Sequence, residues 1–97
     1  MKKTLTITQE MIDKGRPGDC AECAVSLALK AAFPEAVEVS SGPTVLFVYN
    51  ALGSFVKWGA YTPNDVAEFI SQFDGQPGKA KPCSFVVDFK DWHAEEA

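Results

Sequence analysis

Asp19-Cys20-Ala21-Glu22-Cys23-Ala24-Val25-Ser26-Leu27-Ala28-Leu29-Lys30-Ala31-Ala32-Phe33-Pro34 is the stretch on which the fold turns. Asp19 with Glu22 three residues later is a capping-box pattern with Asp in place of Ser or Thr. Pro34 closes the run, so the spacing predicts a helix over 20–33. Projected at ~100° per residue, Glu22, Ser26 and Lys30 fall on one narrow polar stripe at i, i+4, i+8. The rest of the circumference is apolar, with a flank of small residues: Cys20, Ala21, Ala24, Ala28, Ala31 and Ala32. A surface helix buries a stripe little wider than ~100°, whereas roughly two-thirds of this circumference is apolar. The helix is therefore expected at the centre of the domain, with Leu27 in the core. It should pack on a sheet and also against a second helix or a second chain.

Working outward, Thr4-Leu5-Thr6-Ile7-Thr8 alternates with the period of a half-buried strand. Thr8 is placed to cap a short helical turn, 9–14, with Met11 and Ile12 turned inward. Gly15-Arg16-Pro17-Gly18 is a loop by composition. Beyond Pro34, Val37 and Val39 alternate with Glu38 and Ser40 as a strand over 36–40, and Ser41-Gly42-Pro43 is a turn. Thr44–Tyr49 is a continuous run of β-formers and reads as an interior strand. Residues 50–53 read as a hairpin turn and 54–61 as the return strand. Thr62 as cap, Pro63 at the first helical position and Asp65 in the first turn start a second helix. It carries Val66, Phe69, Ile70 and Phe73 at i, i+3, i+4, i+7, and Asp74-Gly75 stops it. After a Pro/Gly loop over 76–81, Cys83, Phe85, Val87 and Phe89 alternate as a last strand. The order is β-α-β-β-β-α-β. The expected architecture is α+β, a five-stranded, mostly antiparallel sheet with two main helices on one face. Residues 1–90 form one domain, and 91–97 a polar tail.

The 97 residues suffice for one domain, and 46 % hydrophobic with 23 % charged residues is ordinary globular composition. No stretch reaches the ~20 apolar residues of a membrane span. Met1-Lys2-Lys3 runs into alternating Thr4–Thr8 rather than an apolar segment, so no signal peptide is expected. Formal net charge is -4: residues 1–50 hold five basic and six acidic groups, residues 51–97 four and seven. No basic stripe for nucleic acid is visible. The acid is too sparse for a mimic of DNA, which must present many regularly spaced charges. Three cysteines, an odd count without an export signal, read as free thiols in a reducing cytoplasm.

Few constellations carry chemistry. Cys20-Ala21-Glu22-Cys23 places two thiols at a helix start, where the dipole favours a thiolate, but Asp19 and Glu22 oppose one. The plainer reading is two small buried residues beside the alanines. Cys20, Cys23, Cys83 and His93 form a Cys₃His set without the paired spacing of a zinc site, so no metal is expected. His93 is the single histidine, and no P-loop, H-E-x-x-H, G-x-S-x-G or G-x-G-x-x-G motif is present. Asp13, Asp19 and Glu22 could serve as catalytic carboxylates, against the simpler role of capping and solvation. Arg16, beside the helix start, could meet a phosphate or carboxylate, although Asp19 competes for the same N–H groups. Lys57, Trp58 and Tyr61, with Tyr49, could stack on and clamp a ring. The sheet face of Lys57 and Tyr61 has no helix to cover it and is a candidate interaction surface.

The run Ile7-Thr8…Ile12-Asp13-Lys14-Gly15-Arg16-Pro17-Gly18-Asp19-Cys20…Cys23-Ala24-Val25…Leu27-Ala28-Leu29 resembles the opening of a family of small uncharacterised phage and prophage proteins. Their pattern is roughly I/V-T-x-x-x-I-x-x-G-x-P-x-x-C-x-x-C-P-V-A-L-A-L. Pro63…Val66…Phe69-Ile70…Phe73-Asp74…Pro77…Phe85 is similar to their closing helix and strand. The chain departs from the pattern at Ala24, where the family has Pro, and at Ser26. The resemblance implies a small phage accessory protein, a class that includes inhibitors of host defence and sponges for nucleotide immune signals.

The leading reading is a non-catalytic, cofactor-free binding protein in the cytoplasm of the bacterial host. It would sequester a nucleotide-derived signal or a host protein, through Arg16, Lys57, Trp58 and Tyr61. The alternatives are a small phosphodiesterase-type enzyme on the carboxylates and a redox or zinc protein on the cysteines. A homodimer with the site at the subunit junction is expected, because so short a chain has two helices for two sheet faces.

Overall fold

The computed structural model describes residues 1–49 and 56–92. The chain runs β1 (Lys2–Ile7), α1 (Gln9–Lys14), α2 (Ala24–Ala32), β2 (Glu38–Ser41), β3 (Val45–Tyr49), β4 (Val56–Tyr61), α3 (Asn64–Gly75), β5 (Cys83–Asp88) and β6 (Lys90–Asp91), with a 3-10 turn at Pro77–Lys79. The fold is α+β. The strands form two antiparallel sheets, β1-β5 and β2-β3-β4-β6, rather than one sheet of five.

The division lies at Phe89. The alternation Cys83, Phe85, Val87, Phe89 reads locally as one strand, but its partner changes part-way along. Residues up to Asp88 pair with β1, Lys2 opposite Asp88, and then Lys90 pairs with Gly59 of β4. Phe89 at the corner is buried, with its ring edge-on to Phe33 at 5.1 Å. Its N–H donates to the Met1 carbonyl at 2.8 Å, which holds the bend against the start of β1. The expected boundary at residue 90 thus falls inside β6, and residues 93–97, with His93, lie outside the described residues. So do the hairpin turn expected at 50–53 and the first two residues of its return strand.

The central helix is shorter than its pattern. Asp19 caps, as its position predicts, but it caps a turn: its carboxylate accepts from the Ala21 and Glu22 N–H groups at 2.9 and 3.1 Å. The helix proper begins at Ala24, with Cys23 as N-cap. Glu22 and Lys30 are exposed, but Ser26, expected on the same solvent stripe, is 0 % exposed. A buried hydroxyl is tolerated only when it is bonded. Ser26 donates to the Cys20 carbonyl and meets the Ser41 hydroxyl at 2.8 Å. Leu27, expected in the core, is half-buried and faces a shallow cleft shared with Met11 and Lys14 of α1. Its neighbour Leu29 is the fully buried one. The second helix against α2 is therefore α1, while β1 and β2 take its other side.

Thr8 caps α1 as expected, its hydroxyl accepting from the Met11 N–H at 3.2 Å. Thr62 does not cap α3. Its hydroxyl donates to the Gly42 carbonyl at 2.7 Å, Pro63 takes the N-cap position, and α3 starts at Asn64. The stripe Val66, Phe69, Ile70, Phe73 is buried as its spacing requires, with Phe69 between Phe73 and Phe85. Gly18, at φ 78°, turns the loop back so that its N–H reaches the Asp74 carboxylate at 2.9 Å. No helix among the described residues is long and apolar enough to cross a membrane.

Candidate functional site

Strand alternation sorts the residues of β3 and β4 onto two faces. Leu46, Val48 and Ala60 are buried in the core, and Trp58 packs half-buried against it. Phe47, Lys57, Gly59 and Tyr61 belong to the outer face, Phe47 directly opposite Gly59 and Val45 opposite Tyr61. The proposed clamp of Trp58 with Tyr61 is thus divided: Trp58 serves the inner side and Tyr61 the outer.

Another ring takes the outer position. The bend at Phe89 carries β6 alongside β4 and lays Trp92 across Gly59. A Cβ at residue 59 would stand 2.7 Å from the indole, so the close approach requires glycine there. Trp92 sits between Phe47 and Tyr61, edge to face, with ring centroids at 5.3 and 5.6 Å. Both spacings lie in the favourable range for quadrupolar ring contacts. By composition Trp92 belongs to the polar tail expected over 91–97, and the structure places it on the sheet instead. The signal that could have found it is Gly59 itself: an isolated glycine inside a strand marks a place where something approaches the backbone closely.

The rim of this face is charged. Lys57 forms an ion pair with Asp91 at 2.9 Å, and its ammonium lies 5.3 Å from the centre of the Trp58 ring. Beside Trp92, at the seam between the two sheets, is a cleft of about 290 Å³. It is lined by Tyr61, Pro63, Val86, Asp88, Lys90 and Trp92, among others. Tyr61 is 73 % exposed and Val86 66 %.

Arg16 stands apart from this face. It occupies the exposed loop between α1 and α2, where its backbone N–H donates to the Glu22 carbonyl at 2.9 Å. Among the described residues no hydrogen bond, ion pair or ring contact joins it to Lys57, Trp58 or Tyr61.

The acidic and sulfur groups are distributed as follows. Asp13 accepts from the Gln9 side-chain amide at 2.9 Å, and Asp19 is engaged as the turn cap. Two of the three carboxylates considered for catalysis, Asp13 and Asp19, are thus in local structural bonds, and the third, Glu22, is exposed. Cys20 is exposed and Cys23 buried, both lining a cleft of about 190 Å³ near Ser41 and Asp74. Cys83 lies elsewhere, in a groove with Asp65 and Glu68, packed against the core beside Phe85. Partial burial, and then the Asp65 carboxylate, push its thiol above the ordinary range. Among the described residues no three His, Cys, Asp or Glu side chains converge as a metal site. Compared with family models, curated proteins and solved structures, the chain matches none, and the site rests on its own geometry.

Proposed function

We propose that this chain is a non-catalytic binding protein that docks a protein partner at the seam between its two sheets. The observation that carries this reading is the placement of Tyr61 and Val86, both well exposed, on one cleft beside Trp92. Exposed apolar residues scattered singly need no account, but adjoining ones against a ring cluster form a patch. An aromatic and aliphatic centre with a charged rim of Lys57, Asp91, Asp88 and Lys90 has the composition of a protein interface. A phosphate-bearing ligand fits less well. The ammonium of Lys57 is held by Asp91, Asp88 lines the cleft, and the chain carries net charge -4. The resemblance of residues 7–29 to phage and prophage proteins supports a host-defence protein as the partner and the host cytoplasm as the setting.

The test is native mass spectrometry of the tagged protein recovered from bacterial lysate, beside Tyr61→Asp and Val86→Asp variants of unchanged circular dichroism. A polypeptide held by the parent and lost from both variants is the expected result. Equal retention by the variants refutes the seam as the site. A bound nucleotide transfers the reading to sequestration of a nucleotide-derived signal. A second copy of the chain as the sole occupant, with a dimer mass by light scattering, makes the seam the homodimer junction instead.

A further inference from the structure

We propose that Cys20 and Cys23 are a redox-active dithiol that exchanges with small cationic disulfides, Cys20 attacking and Cys23 resolving. This activity is separate from the seam and uses residues that the binding reading leaves idle.

The first support is the backbone. The Asp19 carbonyl accepts from the Glu22 N–H at 3.3 Å and from the Cys23 N–H at 3.0 Å, so residues 20–22 are wound as one helical turn. With a rise of ~1.5 Å per residue and a radius of ~2.3 Å, Cα atoms three residues apart on such a turn are ~5 Å apart. That separation falls within the ~4.4–6.8 Å span of disulfides. The turn is anchored at Cys20, whose carbonyl accepts from the Ser26 hydroxyl and from the Ser41 N–H.

The second support is the difference between the two thiols. Cys20 is exposed and open to a solute, whereas Cys23 is 4 % exposed at the floor of the same cleft. Cys23 Sγ lies 3.0 Å from the Ser41 hydroxyl and 3.7 Å from that of Ser26. Ser41 lines the same cleft, so this contact keeps Cys23 Sγ beside the space into which Cys20 opens. Asp19 and Asp74 line the cleft and disfavour anionic disulfides, so the substrate is one with ammonium groups.

The exchange balances without further reagents. Cys20, its proton released to water, attacks one sulfur of the disulfide. That S–S bond breaks, and one small thiol departs with the electron pair and takes up a proton. Cys23 then attacks the Cys20 sulfur of the mixed disulfide, its proton leaving to water, and expels the second small thiol. Two protein thiols are oxidised to one disulfide, and one small disulfide is reduced to two thiols.

Cystamine is the probe. The full chain is treated with it, quenched in acid and followed by intact mass and peptide mapping. The parent is expected to lose two hydrogens, yield a linked Cys20–Cys23 peptide and keep Cys83 open to alkylation. Cys23→Ser, which retains a hydroxyl beside Ser41, is expected to stop at one cysteamine on Cys20. Cys20→Ser is expected to slow all reaction in this cleft at least ~10-fold, because the buried thiol lacks access. A parent that stops at the mixed disulfide, or that links through Cys83, overturns the proposal. The parent result decides by itself should a variant fail to fold.

Discussion

Replacing Phe89 with alanine tests the corner on which both the fold and the site depend. Phe89 lies between β5 and β6, is buried, and meets the Phe33 ring edge-on at 5.1 Å. Removing a buried phenyl ring costs ~3–5 kcal/mol in transfer free energy and residual cavity. The edge-to-face contact accounts for ~0.5–1.5 kcal/mol beyond burial area alone. A domain of this size has ~5–15 kcal/mol in total, so the variant should lose a large part of its stability. At ~4–8 °C per kcal/mol for a domain of up to ~100 residues, a loss of ~4 kcal/mol lowers the melting temperature by ~15–30 °C.

The effect should reach the site as well. Phe89 fixes the direction in which β6 leaves β5, and β6 places Trp92 over Gly59. Urea titration followed by tryptophan emission measures both consequences: an earlier midpoint, and native emission shifted to the red as Trp92 becomes wetter. A destabilisation below ~1 kcal/mol with unchanged emission would refute the reasoning, since a ring that turns a strand between two sheets cannot be removed so cheaply.

The two leucines of α2 should separate in the same titration, Leu29→Ala costing ~2–5 kcal/mol as a fully buried leucine and Leu27→Ala ~1–2 kcal/mol as a half-buried one. Equal losses would mean that the helix is rotated from the face described. Gly59→Ala puts a methyl group 2.7 Å from the Trp92 ring and should cost ~1–3 kcal/mol by overpacking, with altered emission and loss of seam binding. The raised Cys83 thiol makes a signed prediction. The folded state holds this proton more tightly than the unfolded chain, so the associated stability is complete at neutral pH. It is lost as pH climbs from the ordinary thiol range through the raised value. Alkylation rate against pH should therefore rise later for folded Cys83 than for the urea-unfolded chain, and Asp65→Asn should bring the folded profile part of the way back; coincident profiles would contradict this.

What the sequence determined was what neighbouring residues decide among themselves. Val66, Phe69, Ile70 and Phe73 fall on one side of any helix they form, and all four are buried. The alternation of Leu5 and Ile7 places them inward in β1, and the Thr8 hydroxyl is within reach of an N–H three residues on. The α+β class follows from such local periods. The tertiary structure decided whatever depends on a distant partner. Ser26 reads as a solvent residue until Ser41, fifteen positions away, brings a hydroxyl to 2.8 Å and makes its burial tolerable. Thr62 could cap α3, but its hydroxyl is directed to the Gly42 carbonyl, twenty positions back, and the N-cap position falls to Pro63. Cys83 to Phe89 alternates as one strand, and nothing local says that its pairing passes from β1 to β4 at Phe89. For the same reason Lys57 and Tyr61 were legible as an uncovered face, but Trp92 was not. Its position is set by that change of partner, while its own neighbours along the chain are polar.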